Sequence, residues 1–153
     1  MSKKSSPYSI PVYRLKLVRD GSVESPAILN PPALAFHLRE IATADREHMV
    51  CIHLNTKNQP IGRQTISIGT LNATLVSPRE VFKAAILANA FAIVLAHNHP
   101  SGSVNPSQDD HAITKQIAEA GKLLGIHLLD HVILGPENQM YSFQENYPAM
   151  FKE

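Results

Sequence analysis

With 153 residues, 44% hydrophobic and 18% charged, the chain has the length and apolar content of a single globular domain with an ordinary core. Its 14 basic and 13 acidic residues leave a net charge of +1 with neutral histidines, which gives no electrostatic case for a large nucleic-acid surface or a membrane-binding face. A lone cysteine, Cys51, excludes an internal disulfide framework, a Cys₄ or Cys₂His₂ zinc site and the paired cysteines of a zinc deaminase.

In chain order, Lys3 and Lys4 read as a frayed basic start, with no apolar run behind them to make a signal peptide. The alternation from Ile10 to Val18 predicts an edge strand, closed by an Asp20–Gly21 turn. Residues 1–29 are therefore taken as an N-terminal strand and extension, and residues 30–153 as the domain proper. Asn30–Pro31–Pro32 supplies an N-cap and first-turn prolines for a helix ending between Thr43 and Asp45. Polar at Arg46–Glu47–His48, the chain then becomes apolar through Met49–Leu54, a buried strand in which Cys51 is core. Asn55–Pro60 turns it into a second strand, Ile61–Gly69, to form a hairpin.

Ser77–Pro78–Arg79–Glu80 opens a second helix through Leu87. Phe91–Ala96 is a short continuous apolar run, the pattern of a strand buried on both faces. The apolar stretch Ala84–Ala96 is interrupted by Asn89 and too short to span a bilayer, so a cytoplasmic protein is expected. A third helix begins near Ser107 and ends between Gly121 and Gly125. Two strands follow, Ile126–Leu134 and Met140–Phe143, about a Gly135–Asn138 turn. The order β-α-β-β-α-β-α-β-β predicts an α/β fold with a mixed sheet flanked by helices.

Chemistry concentrates after the buried strand, at His97–Asn98–His99. Side chains two apart on extended backbone share a side, so both imidazoles can face one ion, with Asn98 turned away to hold the loop. With eight histidines in the chain, the pair alone fits two loop histidines equally well. Ser107 and Asp110 follow, and a helix-capping box accounts for them without any metal. The two roles are compatible, because the helix N-terminus favours the ionised carboxylate that a metal ligand needs. His97, His99 and Asp110 would leave zinc a fourth position for water, where a purely structural site would be closed. Asp109, about 100° away on the helix, is the disfavoured alternative to Asp110.

At this point the segment resembles the JAMM, or JAB/MPN, metallopeptidases. His97, His99, Ser107 and Asp110 match the motif His-x-His-x₇-Ser-x₂-Asp at every defined position. Pro78–Arg79–Glu80, Asn98, Ser101–Gly102 and Leu129–Asp130–His131–Val132–Ile133 are similar to the RadC branch, over about residues 30–145. RadC proteins usually carry a helix-hairpin-helix region ahead of this domain; with at most about 30 residues preceding it, a short form lacking that module is expected here.

The resemblance implies one Zn²⁺ per chain and an upstream catalytic glutamate. Glu47, at the mouth of the Met49–Leu54 strand, is preferred over Glu80, which helix capping already explains. It further implies hydrolysis of an amide, peptide or isopeptide bond by zinc-activated water, with Glu47 moving the proton and Ser107 donating to the oxyanion. Asp130 and His131, ionisable in an apolar strand, are read either as a satisfied structural pair or as a contact behind a zinc-bound imidazole. His111 is expected to face solvent, and His37, His48, His53 and His127 are background. A peptide or protein substrate follows as the expected partner, with no membrane and the oligomeric state open. The competing readings are a DNA-associated role, which the near-neutral charge disfavours, and a catalytically silent interaction module, which the complete ligand set disfavours. An HNH nuclease does not fit, because that motif spreads its residues across a ββα unit.

Overall fold

The computed structural model describes residues 9–23, 30–69 and 76–152; Lys3 and Lys4 lie outside them. Its longer helices start where side chains can cap them. The Asn30 side chain accepts the Ala33 N–H at the head of α1 (Pro31–His37), and Ser77 accepts the Glu80 N–H at the head of α3 (Pro78–Leu87). The first predicted helix is broken at Leu38, whose backbone leaves helical geometry while its side chain stays fully buried, so that α2 (Arg39–Ala42) forms a separate turn.

Five strands form one sheet, β1 (Glu47–Leu54), β2 (Pro60–Gly69), β3 (Ala92–Asn98), β4 (His127–Leu134) and β5 (Met140–Ser142), in the order β2-β1-β3-β4-β5. β1 and β2 make the expected antiparallel hairpin, and β1 also runs antiparallel to β3. β3 and β4 are parallel, joined through α4 (Gln108–Leu124), and β5 returns antiparallel to β4 before the short helix α5 (Phe143–Asn146). The mixed sheet with helices on both faces is the expected α/β class. β3 runs two residues past the end of its apolar run, because pairing with β1 and β4 on either side carries the ladder through His97 and Asn98.

Alternation along the strands divides the interior into two cores. Met49, Cys51, Ile93 and Leu95 pack with Val81, Phe82, Ile113 and Ile117 from α3 and α4. On the opposite face Val50, Ile52, Val94 and Ala96 pack with Leu34, Leu38 and Ile41 from α1 and its continuation. Every residue of β3 is buried, as expected for a strand covered on both sides. Cys51 lies in the first core, and burial pushes its thiol up to about 12.

One predicted element is missing. Residues 9–23 carry no helix or strand, and Val12 and Leu15 are 97% and 74% exposed. Alternation supplies the period of a strand but not the neighbour that must satisfy its backbone, and the described residues offer this segment no ladder.

Of the two glycines expected to end the third helix, only Gly125 caps it, in left-handed geometry at φ 67°. Gly121 lies inside α4, where a Cβ would come within 2.5 Å of the Ile126 carbonyl oxygen and 3.2 Å of the Phe82 ring. Gly121→Ala should therefore destabilise the fold by about 1–3 kcal/mol despite alanine's higher helix propensity. Urea denaturation measures this, and a variant as stable as wild type would contradict the close packing.

Candidate metal centre

The carboxyl end of β3 and the N-terminus of α4 meet at His97, His99 and Asp110. One donor atom from each lies within 4.8 Å of the others. The two Nε2 atoms are 3.1 Å apart, and the Asp110 carboxylate lies 3.1 Å from that of His97 and 3.2 Å from that of His99. Tetrahedral zinc with bonds of about 2.0–2.1 Å sets its ligands about 3.3 Å apart, so the spacing fits. His97 is fully buried, Asp110 is 7% exposed and His99 is half-buried.

The capping box and the candidate ligand set share one residue, Asp110. Ser107 N–H donates to Asp110 Oδ2 at 2.7 Å, and Asp110 N–H donates to Ser107 Oγ at 3.1 Å. The first of these bonds aims the carboxylate at the two imidazoles. Burial alone would raise the Asp110 pKa, but hydrogen bonds from His97 and His99, with the Ser107 N–H, hold it far below the usual carboxylate range. The hydrogen bond to Asp110 in turn raises the proton affinity of His99. His99 Nδ1 lies 2.8 Å from the Ser103 carbonyl oxygen; a carbonyl only accepts, so Nδ1 carries a hydrogen there and Nε2 is the nitrogen turned to Asp110. An imidazole nitrogen and a carboxylate oxygen facing each other at these distances need a proton or a metal cation between them.

The remaining predicted residues separate cleanly. β1 and β3 pair antiparallel with Met49 opposite His97, and the two-residue period then sets half-buried Glu47 on the same face, level with His99. The charge of Glu47 also contributes to the raised proton affinity of His99. Glu80 stays outside the site, at the head of α3 in an ion pair with Lys83 at 3.0 Å. Asp109 is exposed. Asp130 and His131 do not pair through their side chains. Asp130 accepts from the His131 and Gln144 N–H groups and from Ser142 Oγ, holding the corner between β4 and α5. His131 Nε2 lies 2.8 Å from His97 Nδ1. His111, expected to face solvent, packs half-buried between the Phe143 and Tyr147 rings at 5.0 and 4.8 Å, because the C-terminal segment folds back over the start of α4.

Asn98 does more than hold its own loop. Fully buried and turned away from the two histidines, it accepts the His48 N–H at 2.7 Å and donates to the Arg46 carbonyl at 3.0 Å. Those two backbone groups flank Glu47, so one amide clamps the segment that carries it. Thr114, one turn beyond Asp110 and fully buried, also went unread in the sequence, where a lone threonine on a helix gives no signal.

A mixed α/β fold with a buried His–His–Asp group able to hold a metal thus defines the class. Residues 29–148 match the RadC-like JAB domain family, and the chain belongs to that family. It is similar to the UPF0758 protein of Rubrobacter xylanophilus, 56% identical over 123 residues, covering 80% of this chain and 53% of that one. The UPF0758 protein of Desulforamulus reducens is 51% identical over 98 residues, covering 64% and 43%. That of Bacillus cereus strain B4264 is 44% identical over 132 residues, covering 86% and 56%. The chain spans about half the length of these relatives. Among the described residues, no helix is long and apolar enough to cross a membrane.

Asn98→Ala should cost about 1–3 kcal/mol of unfolding free energy, because it strands the His48 N–H and the Arg46 carbonyl. Chemical denaturation reads that loss; a change below about 0.5 kcal/mol would mean the clamp is replaced by solvent.

Proposed function

We propose that this chain is a zinc-dependent hydrolase domain acting on amide bonds, with a peptide or isopeptide as the substrate class. The observation that carries the reading is the juxtaposition at one strand end of three metal-ligating side chains, a carboxylate on the neighbouring strand and a hydroxyl at a helix cap. Two imidazoles and one carboxylate suit zinc and leave its coordination incomplete, which is the donor set of a catalytic rather than a structural site. When bound there, zinc supplies a Lewis acid and lowers the pKa of a coordinated water toward about 7.

The chain's own residues supply the rest. His97, His99 and Asp110 hold the ion. Glu47, on the same face as His99, accepts a proton from the attacking water and returns it to the leaving amine as the carbon–nitrogen bond breaks. Ser107 Oγ already accepts the Asp110 N–H, which leaves its own hydrogen to donate to the developing oxyanion. Pro100 and Ser107, next in sequence to His99 and at the cap that carries Asp110, are exposed, and the substrate carbonyl approaches from their side.

The test is hydrolysis of quenched-fluorescence peptides and isopeptide-linked conjugates by zinc-loaded protein. Glu47→Gln should lower kcat by about 10²–10⁴-fold while zinc content stays at the wild-type level. Ser107→Ala should lower it by about 10²–10³-fold. Activity unchanged in Glu47→Gln would contradict the assignment of the proton carrier.

A further inference from the structure

Behind the ligand His97 lies a chain of polar groups that ends on the backbone of a second ligand. Thr114 Oγ1 is 2.5 Å from the Asp110 carbonyl oxygen and 2.6 Å from His131 Nδ1, and His131 Nε2 is 2.8 Å from His97 Nδ1. Thr114, His131 and His97 are all fully buried.

Direction in this chain follows from donor counting. Two oxygens 2.5 Å apart share a hydrogen, and the Asp110 carbonyl has none, so the Thr114 hydroxyl donates to it. Having spent its single hydrogen, Thr114 Oγ1 accepts from His131, whose Nδ1 is therefore protonated. Among the described residues no carboxylate is hydrogen-bonded to the His131 ring, which is stacked on Phe143 at 5.1 Å with 15° between the planes. A charged imidazolium there would be buried without a counter-ion, so the ring is neutral and its Nε2 is bare. His97 Nδ1 then carries the hydrogen of the 2.8 Å contact, and in the neutral ring Nε2, facing His99 and Asp110, is the nitrogen left to bind a metal.

We propose that Thr114 and His131 are positioning residues that lock His97 in its metal-binding tautomer and tie it through α4 to the other ligand, Asp110. The inference rests on the reading of His97, His99 and Asp110 as a metal site. A ligating histidine usually donates its second N–H to a carboxylate, a backbone carbonyl or water. His99 follows that pattern with Ser103, whereas His97 uses a neutral imidazole. The relay makes a testable statement about Thr114, which touches neither His97 nor the open side of the site. Without an acceptor at Nδ1, His131 is free to take the Nε2–H tautomer. That form presents a hydrogen to His97 Nδ1, drives the His97 hydrogen to Nε2 and blocks the metal.

The experiment measures zinc affinity by competition with a chelating indicator, using the full chain and folded variants checked by circular dichroism. Thr114→Val, nearly isosteric, should weaken zinc binding by about 10-fold, and His131→Leu by about 10–100-fold. His131→Gln, which can offer an amide oxygen to His97, should recover most of the loss. In the His131→Leu background, Thr114→Val should add less than about twofold, because its effect passes through His131. Side-chain ¹⁵N NMR should find His131 protonated at Nδ1 in wild type and shifted toward Nε2–H in Thr114→Val.

Zinc binding by wild type with Thr114→Val and His131→Leu within about twofold of it would overturn the relay alone. If His131→Leu does not fold, the Thr114→Val affinity and the His131 tautomer decide the matter by themselves. A folded wild type that takes up no zinc would overturn the metal reading and the relay with it.

Discussion

The Asp110 carboxylate is held from two directions at once. Its Oδ2 accepts the Ser107 N–H at 2.7 Å, closing the cap of α4, while the same group faces His97 and His99 at 3.1 and 3.2 Å. The first contact fixes where the helix begins, and the second fixes how the helix meets the sheet. Because β3 is buried along its whole length, His97 cannot shift to follow a misplaced helix. The geometry of the site therefore depends on the connection from His99 to Ser107 delivering the cap to one place. Charge acts in the same sense, since the helix N-terminus and the nearby imidazoles all favour the ionised carboxylate.

Around this contact the protein buries an unusual set of polar side chains within two apolar cores. His97, Asn98, Thr114, His131 and Ser142 are each at most 1% exposed, and Asp130 is 8% exposed. Each finds a partner, as buried polar groups must. Asn98 ties β3 to the chain entering β1, His131 ties β4 to β3, and Asp130 ties β4 to α5. The network fastens the strand ends near the site to one another, where side-chain packing alone would leave the carboxyl end of a parallel pair open. Such a network is directional, which apolar packing is not, and direction is what an ion with defined coordination requires.

Much of this was legible in the sequence where the signal is local. His97 and His99 share a face through the period of extended backbone, and Ser107 and Asp110 sit at the spacing that a helix cap imposes. Glu47 needed the family resemblance, because the register that levels it with His99 comes from pairing between strands distant in sequence, with Met49 opposite His97. The partners of Asn98 and His131 lie 50 and 34 residues away, and no local pattern encodes such a contact. The alternation at Ile10–Val18 misled for the complementary reason: a strand's period is local, but its neighbour is not. His111 was read as solvent-facing from its own helix alone, whereas the aromatic residues that cover it arrive with the chain's last turns.

His97, His99 and Asp110 stand close enough together to hold a single metal ion. Anomalous diffraction at the zinc absorption edge, from crystals of the zinc-loaded protein, tests this most directly. One peak per chain is expected, within about 2.0–2.2 Å of both Nε2 atoms and the Asp110 carboxylate. A peak on other residues, or none between these three in crystals grown with zinc, would contradict it.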